Sequence, residues 1–294
     1  MTTADNVSSI AILGAGQMGG GIAQVAAVAG IDAVCFDMHQ TSLDKTKALH
    51  EKLMARAVEK GRMEQGDADA ALARISYTTD WDAMGGAGWV VEAAAEKEAL
   101  KHELFTRLAE TFDDESVVLA TNTSSISSTR IAAAAERARA GAGERVIGMH
   151  FFNPVPVMKL VEVIKGLATS DEVTQRTIDL SVRMGKEPHA ANDRAGFVSN
   201  RVLMPMINEA FYAWMEGVAE PEDLDAIMTK GMAHPMGPLR LADFIGLDTC
   251  AMIMDVLADG LNDDRYRACP LLKQRVDAGR LGNKTGRGVF DYSK

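Results

Sequence analysis

Short apolar runs alternate with amphipathic segments along the first two-thirds of the chain. Residues 9–13 form an apolar run that ends at glycines, and a helical segment rich in small residues follows at 17–29. A second apolar run at 33–36 precedes a long charged helical segment at 41–61. Further apolar runs lie at 89–91, 117–120, 146–149 and 160–164. Alternating strands and helices with fully apolar strands predict a parallel sheet covered on both faces.

The pattern changes after Asp193. Residues 197–216, 221–231 and 239–259 have helical periodicity, and no apolar run there has the character of a strand. We therefore predict an α/β, Rossmann-type domain at 1–194, with a doubly wound and mostly parallel sheet. A smaller all-α domain is predicted at 195–294.

A glycine-rich turn joins the first strand to the first helix. Its sequence is Gly14-Ala15-Gly16-Gln17-Met18-Gly19. Gly14 permits a tight turn, Gly16 lets the backbone approach a pyrophosphate, and Gly19 lets helix and strand pack closely. The amide groups at the start of the helix would then bind the phosphates. The motif has both its strand and its helix, which favours a dinucleotide site over a turn without a ligand.

Asp37 indicates which dinucleotide is bound. It ends the second apolar run, 18 residues beyond Gly19, and Met38 and His39 follow it rather than an arginine. A carboxylate accepts hydrogen bonds from ribose hydroxyls and repels the 2′-phosphate of NADP. We therefore expect NAD as the cofactor.

Composition narrows the function further. The formal net charge is −10 and the pI is about 5.1, which argues against nucleic acid as a general partner. The three cysteines are far apart and form no metal-binding pattern with histidine, so we predict no metal. No apolar run has the length of a membrane span, and we see no signal peptide. We expect a cytoplasmic protein that does not bind membranes.

Polar residues follow two of the predicted strands, and a carboxylate interrupts a third. Ser124 lies just beyond the run at 117–120, His150 ends the run at 146–149, and Glu162 lies within the run at 160–164. A carboxylate in an apolar strand requires a partner, and His150 is a natural one. Two alternatives remain: Ser124 or Ser125 only caps the next helix, and the His–Glu pair is purely structural.

Four segments resemble the L-3-hydroxyacyl-CoA dehydrogenase family, and the bacterial 3-hydroxybutyryl-CoA dehydrogenases are the most similar in style and length. They are residues 122–125, 150–164, 196–201 and 234–238, and the resemblance extends over nearly the whole chain. It implies that His150 is the general base, that Glu162 orients it, and that Ser124 and Asn200 bind the substrate. The implied cofactor contacts are Glu96, Lys101, Asn122, Ser124, Asn153 and Lys284.

The resemblance also implies a homodimer formed through residues 195–294. The helices predicted there carry more apolar positions than one small domain needs, including Met204, Met206, Ile207, Phe211 and Trp214. A CoA thioester additionally needs cations for its phosphates. The charged helix at 41–61 offers Lys52 and Arg56, although a solvated charged face explains these residues equally well.

The expected function is an NAD-dependent oxidoreductase. It would interconvert short-chain (3S)-3-hydroxyacyl-CoA, such as 3-hydroxybutyryl-CoA, and 3-ketoacyl-CoA, such as acetoacetyl-CoA, in fatty acid or butanoate metabolism. One alternative is a related dehydrogenase of a hydroxy acid without CoA, such as a sugar acid or carnitine. Another is a catalytically idle NAD-binding protein.

Overall fold

The computed structural model describes residues 7–293. The chain divides into two compact units, residues 1–193 and residues 194–294, one residue from the boundary placed on the sequence. Within the described residues, no helix is both long and apolar enough to cross a membrane.

The first unit is built on a sheet of eight strands in the order β3-β2-β1-β4-β5-β6-β7-β8. The pairing of β6 with β7 is antiparallel, and the other six pairings are parallel. The strands are β1 (Ser9–Leu13), β2 (Asp32–Phe36), β3 (Ile75–Thr78), β4 (Trp89–Glu92), β5 (Val118–Thr121), β6 (Val146–Phe151), β7 (Leu160–Lys165) and β8 (Glu187–Asn192).

Helices cover both faces of this sheet. They are α1 (Gln17–Val28), α2 (Gln40–Glu59), α3 (Gln65–Ala73), α4 (Glu98–Thr111), α5 (Ser128–Ala138) and α6 (Asp171–Arg183). Along β1, Ile10 and Ile12 belong to the apolar layer that includes residues of α1, α3 and α6. Ala11 and Leu13 belong to the layer that includes α4 and α5. Successive residues of a strand point to opposite faces, so both faces are buried and the strands are fully apolar. The predicted Rossmann-type fold is confirmed.

The second unit is helical, as the periodicity indicated. Its helices are α7 (Ser199–Met215), α8 (Pro221–Gly231), α9 (Pro238–Ile245), α10 (Leu247–Leu261) and α11 (Pro270–Asp277). The single helix predicted at 239–259 is wrong, because Gly246 has a φ of +106° and separates α9 from α10. A positive φ is incompatible with a right-handed helix and is adopted most readily by glycine.

Two strands of the sheet were not predicted. β3 is only four residues long, and β8 is an edge strand whose residues are exposed or half-buried. An edge strand needs partners for its backbone on one side only, so it can lack the apolar pattern that marks the central strands.

A buried carboxylate explains the segment His234–Pro238. Asp225 accepts hydrogen bonds from the backbone N–H groups of Leu239 and Arg240, both at 2.9 Å, and so satisfies two amides at the start of α9. A Cβ atom at Gly237 would lie 2.2 Å from Cγ of Asp225. This part of the family resemblance therefore has a structural explanation.

His50 of α2 connects that helix to α1 and β3. Its Nε2 lies 2.8 Å from the carbonyl oxygen of Gly20, and its Nδ1 lies 2.7 Å from the Tyr77 hydroxyl. Because a carbonyl only accepts, Nε2 carries the proton and Nδ1 accepts from Tyr77. Burial lowers the pKa of His50, against a smaller opposing effect of the bond to Gly20, so the neutral ring is the form that the fold stabilises.

We predict that His50 makes the protein less stable on mild acidification. Its pKa is lower in the folded state, so its contribution is present above about pH 6.5 and is lost as the pH falls, because the unfolded chain takes up the proton first. The loss should reach at most about 1.4 kcal/mol per pH unit. Urea unfolding of wild type and His50→Gln between about pH 7.5 and 5.5 measures it, with the exposed His39→Gln as control. Equal pH dependence in wild type and His50→Gln would contradict the prediction.

Candidate active site

The glycine turn has the geometry that the motif predicts. Gly14 has a φ of +102°, and a Cβ atom there would lie 2.6 Å from the carbonyl oxygen of Ala93. A Cβ at Gly19 would lie 1.8 Å from the carbonyl oxygen of Gly14, so both positions require glycine for packing. Gly16 differs, because it precedes α1 and a Cβ there would meet no atom within 4 Å. This open space at a helix N-terminus fits a pyrophosphate, and Gln17 and Met18 form the first turn behind it.

Asp37 lies beside this turn at the end of β2. Its Oδ2 accepts a hydrogen bond from the Ala15 N–H at 2.9 Å, and its Oδ1 accepts from the His39 N–H at 2.9 Å. Two backbone amides thus fix the carboxylate next to the glycine turn. The side chain is half-buried at the end of β2, where the sequence predicts that it accepts hydrogen bonds from a ribose.

The strand order locates the two halves of a dinucleotide. β1 lies between β2 and β4. The strands up to β3 are added on one side of β1, and the strands from β4 onward are added on its other side. Dinucleotides bind across the carboxyl ends of the strands at such a switch point. If Asp37 on the β2 side binds the adenosine half, we expect the nicotinamide half at the ends of β4 and β5.

The loop after β5 is organised by one carboxylate. Oε1 of Glu96 accepts hydrogen bonds from the Thr123 hydroxyl (2.6 Å), the N–H groups of Ser124 (2.8 Å) and Ser125 (3.0 Å), and the Ser125 hydroxyl (2.9 Å). Burial raises the pKa of Glu96, but Lys101 and these hydrogen bonds together hold it below its usual value. Glu96 therefore remains ionised while it shapes the loop that carries Ser124.

Lys101 is buried beneath that loop, with only 1% of its side chain exposed. Its Nζ lies 2.6 and 2.7 Å from the two carboxylate oxygens of Glu92, and 3.4 Å from Oε2 of Glu96. The ammonium group thus binds protein carboxylates. Glu92 was missed in the sequence, although a carboxylate directly after the apolar run at 89–91 was a signal for it.

His150 and Glu162 are directly opposite each other in the antiparallel pairing of β6 with β7. Nδ1 of His150 lies 2.7 Å from Oε2 of Glu162, and the two residues are only 6% and 4% exposed. The carboxylate accepts a hydrogen bond from the Nδ1–H group. This bond fixes the tautomer and makes Nε2 the basic nitrogen. The ring also packs against Phe152, with 4.6 Å between ring centroids. The predicted pair is present.

Asn122 connects the ends of β5 and β6. Its Oδ1 accepts a hydrogen bond from the Phe151 N–H at 2.9 Å, one residue beyond His150. The N-cap of α5 is Ser127, whose hydroxyl accepts from the Arg130 N–H at 3.3 Å. The alternative that Ser124 or Ser125 caps this helix is therefore wrong, and both belong to the loop held by Glu96.

A cavity of about 470 Å³ lies between α1, α2 and the loop after β6. Its lining includes Gly16, Gln17, Lys45, His50 and Asn153. Lys52 and Arg56 are exposed and are not among the lining residues. They follow Lys45 at helical spacing along the same side of α2.

Two predicted site residues belong to the helical unit. Asn200 is buried in the first turn of α7. Lys284 lies in a short turn, and its Nζ is 2.6 Å from Oδ1 of Asp248 at the start of α10. Among residues 7–293, no group of three or more His, Cys, Asp or Glu side chains could hold a metal ion.

The fold and the glycine turn define the class of NAD-binding Rossmann proteins. Residues 9–194 match the family model of the 3-hydroxyacyl-CoA dehydrogenase NAD-binding domain, and residues 196–292 match that of the C-terminal domain. The chain belongs to the 3-hydroxyacyl-CoA dehydrogenase family.

Relatives cover almost the full length of the chain. A probable 3-hydroxybutyryl-CoA dehydrogenase of Deinococcus radiodurans is 51% identical over 96% of this chain and 99% of its own, and one of Bacillus subtilis is 50% identical over 98% of both. The crystal structure of (S)-3-hydroxybutyryl-CoA dehydrogenase from Ralstonia eutropha has a TM-score of 0.93 at 45% identity, covering 98% of this chain and all of that one.

We predict that alanine at Gly19 lowers stability, whereas alanine at Gly16 mainly weakens NAD binding. Gly19→Ala should lower the free energy of unfolding by about 3 kcal/mol or more, since its Cβ would overlap the backbone at Gly14. Gly16→Ala should change stability by about 1 kcal/mol or less, because its Cβ enters open space. It should nevertheless weaken NAD binding on the order of tenfold, which corresponds to about 1.4 kcal/mol. Denaturant unfolding and NADH fluorescence titration measure the two effects, and normal NADH binding by Gly16→Ala would refute the placement of the pyrophosphate.

Proposed function

We propose that this chain oxidises (3S)-3-hydroxybutyryl-CoA to acetoacetyl-CoA with NAD and catalyses the reverse reduction. The observation that carries the proposal is the His150–Glu162 pair, held at the end of β6 in an NAD-binding unit. The relatives named as 3-hydroxybutyryl-CoA dehydrogenases support the acyl group. These relatives favour a CoA thioester substrate over a hydroxy acid without CoA, and an active enzyme over a catalytically idle NAD-binding protein.

His150 is the acid–base residue of the proposed mechanism. In the oxidation, Nε2 accepts the proton of the 3-hydroxyl group as C3 loses a hydride and the C–O bond becomes a carbonyl. NAD, held at the glycine turn and Asp37, would supply the acceptor of that hydride. The imidazole is then a cation whose Nδ1–H is bonded to Glu162 at 2.7 Å, so the carboxylate stabilises the charge. In the reduction His150 returns the proton to the carbonyl oxygen.

The remaining site residues are assigned to the substrate, to the cofactor or to both. Ser124 and Asn200 bind the substrate, and Ser124 also borders the cofactor. The assigned cofactor residues are Gly14, Gly16, Gln17, Met18, Gly19, Asp37, Glu96, Lys101, Asn122, Asn153 and Lys284. Lys101 is buried and paired with the carboxylates of Glu92 and Glu96, so its contribution to the cofactor site is indirect.

The CoA moiety is assigned to the cavity beside α2. An apolar wall that includes Leu49 and Leu53 suits the pantetheine arm, and Lys45 within the lining supplies a cation. Lys52 and Arg56 extend the basic side of the helix into solvent, where flexible phosphates can reach them.

A substrate panel tests the proposed function. We expect reduction with NADH rather than NADPH, and the highest kcat/KM for acetoacetyl-CoA among 3-ketoacyl-CoAs of increasing length. Acetoacetyl-pantetheine should react with a lower kcat/KM, because it lacks the phosphates that the basic helix would bind. Equal activity on free 3-keto acids would support the non-CoA alternative instead, and no turnover of any member would support the idle protein.

Removal of the base should abolish most turnover without loss of the cofactor. We predict that His150→Ala lowers kcat by about 10²–10⁴-fold. Glu162→Gln should slow oxidation throughout the neutral pH range, because an amide cannot stabilise the imidazolium. The double variant should be hardly worse than His150→Ala, as expected of residues that act as a unit.

Steady-state kinetics and NADH titration measure these effects. The matched control is His189→Ala, since His189 is in register with Glu162 on β8 but is exposed. Near-normal turnover of His150→Ala on every hydroxyacyl-CoA would show that the pair is structural.

The assembly and location are further parts of the proposal. Met204, Ile207 and Phe211 are buried in the core of the helical unit, so it was wrong to count them among apolar positions that one small domain does not need. The homodimer through this unit is supported instead by exposed apolar side chains, among them Val202, Ile227, Phe244 and Met252. We expect a dimer in the cytoplasm, and light scattering that shows a monomer at micromolar concentration would refute the dimer.

A further inference from the structure

Three charged side chains form a cluster at the carboxyl ends of β4 and β5. Glu92 is fully buried, and each of its carboxylate contacts is with a donor: Lys101 Nζ to both oxygens, the Ala94 N–H at 2.7 Å and the Thr121 hydroxyl at 2.6 Å. The Glu92 carboxylate is thus paired with the Lys101 ammonium and held by two further donors.

Lys101 is shared unequally between two carboxylates. Its Nζ is 2.6 and 2.7 Å from the oxygens of Glu92 but 3.4 Å from Oε2 of Glu96. The single positive charge is thus matched mainly by Glu92, and the cluster retains one negative charge. Glu96 is the member that reaches the surface, with 27% of its side chain exposed.

This negative charge lies on the side of the sheet assigned to the nicotinamide. The glycine turn follows β1 and Asp37 follows β2, whereas Glu92 ends β4 and Glu96 lies in the loop between β4 and α4. The nicotinamide ring carries a positive charge in NAD⁺ and none in NADH. A fixed negative charge nearby stabilises the oxidised form relative to the reduced form.

We infer that Glu92 is a positioning residue that sets the relative affinity for NAD⁺ and NADH. By holding Lys101, it prevents the ammonium from neutralising Glu96, so that Glu96 presents its negative charge to the cofactor. The inference rests on the cofactor placement in the proposed function. It assigns no step of the reaction to Glu92.

The test compares the dissociation constants of both cofactor forms. In Glu92→Gln, Lys101 is left with Glu96 as its single carboxylate partner, and the net charge of the cluster becomes zero. The ratio Kd(NAD⁺)/Kd(NADH) should rise on the order of 3- to 10-fold, a typical effect of one unit charge in a partly solvated site. In the double variant Glu92→Gln, Lys101→Met the net charge is again −1, and the ratio should return toward that of wild type.

Titrations of NADH by fluorescence and of NAD⁺ by calorimetry give the ratio without turnover. If Glu92 had only a structural role, Glu92→Gln would weaken the binding of NAD⁺ and NADH equally. An unchanged ratio in Glu92→Gln would therefore overturn the inference. So would a double variant whose ratio remains as high as that of the single variant. A wild-type protein that binds neither form would overturn the proposed function as well, whereas an unchanged ratio leaves it intact.

Lys101→Met carries the test if Glu92→Gln does not fold. Loss of the ammonium removes the cation that would neutralise Glu96, so the ratio should not rise above that of wild type. A ratio that rises would overturn the inference.

Discussion

A carboxylate removed from water must be surrounded by donors, and the first unit meets this requirement at the buried Glu92 and Glu162 and extends it to the partly exposed Glu96. Glu92 collects Lys101, Thr121 and a backbone amide, Glu96 collects the loop after β5, and Glu162 holds the ring of His150. Each carboxylate accepts hydrogen bonds from groups of an element or loop other than its own. These charges would be costly to bury in any other arrangement.

The antiparallel course of β7 is what makes the acid–base pair possible. In a parallel continuation, the chain would have to cross over the sheet before it could pair beside β6. The direct return instead places Glu162 opposite His150 after only twelve residues, with both side chains on the same face. The single reversal in an otherwise parallel sheet therefore coincides with the candidate catalytic residues.

Features that depend on local chemistry were predictable from the sequence. The glycine turn, Asp37 and the central strands have residue patterns that few other structures would explain, and the His150–Glu162 contact followed from one carboxylate in an apolar strand. β8, the break at Gly246 and the true environment of Lys101 were not predictable. An edge strand needs no apolar pattern, a lone glycine is tolerated within helices, and the partner of a buried lysine depends on which strands are neighbours.

Gly16 and Gln17 belong both to the glycine turn and to the wall of the cavity beside α2. A dinucleotide and a ligand in that cavity would therefore both contact Gly16 and Gln17. If the first ligand changes the conformation of this turn, the second ligand meets the changed conformation and binds more tightly or more weakly as a result. Such a shared wall couples the two binding equilibria, and by linkage each ligand then changes the affinity for the other by the same factor.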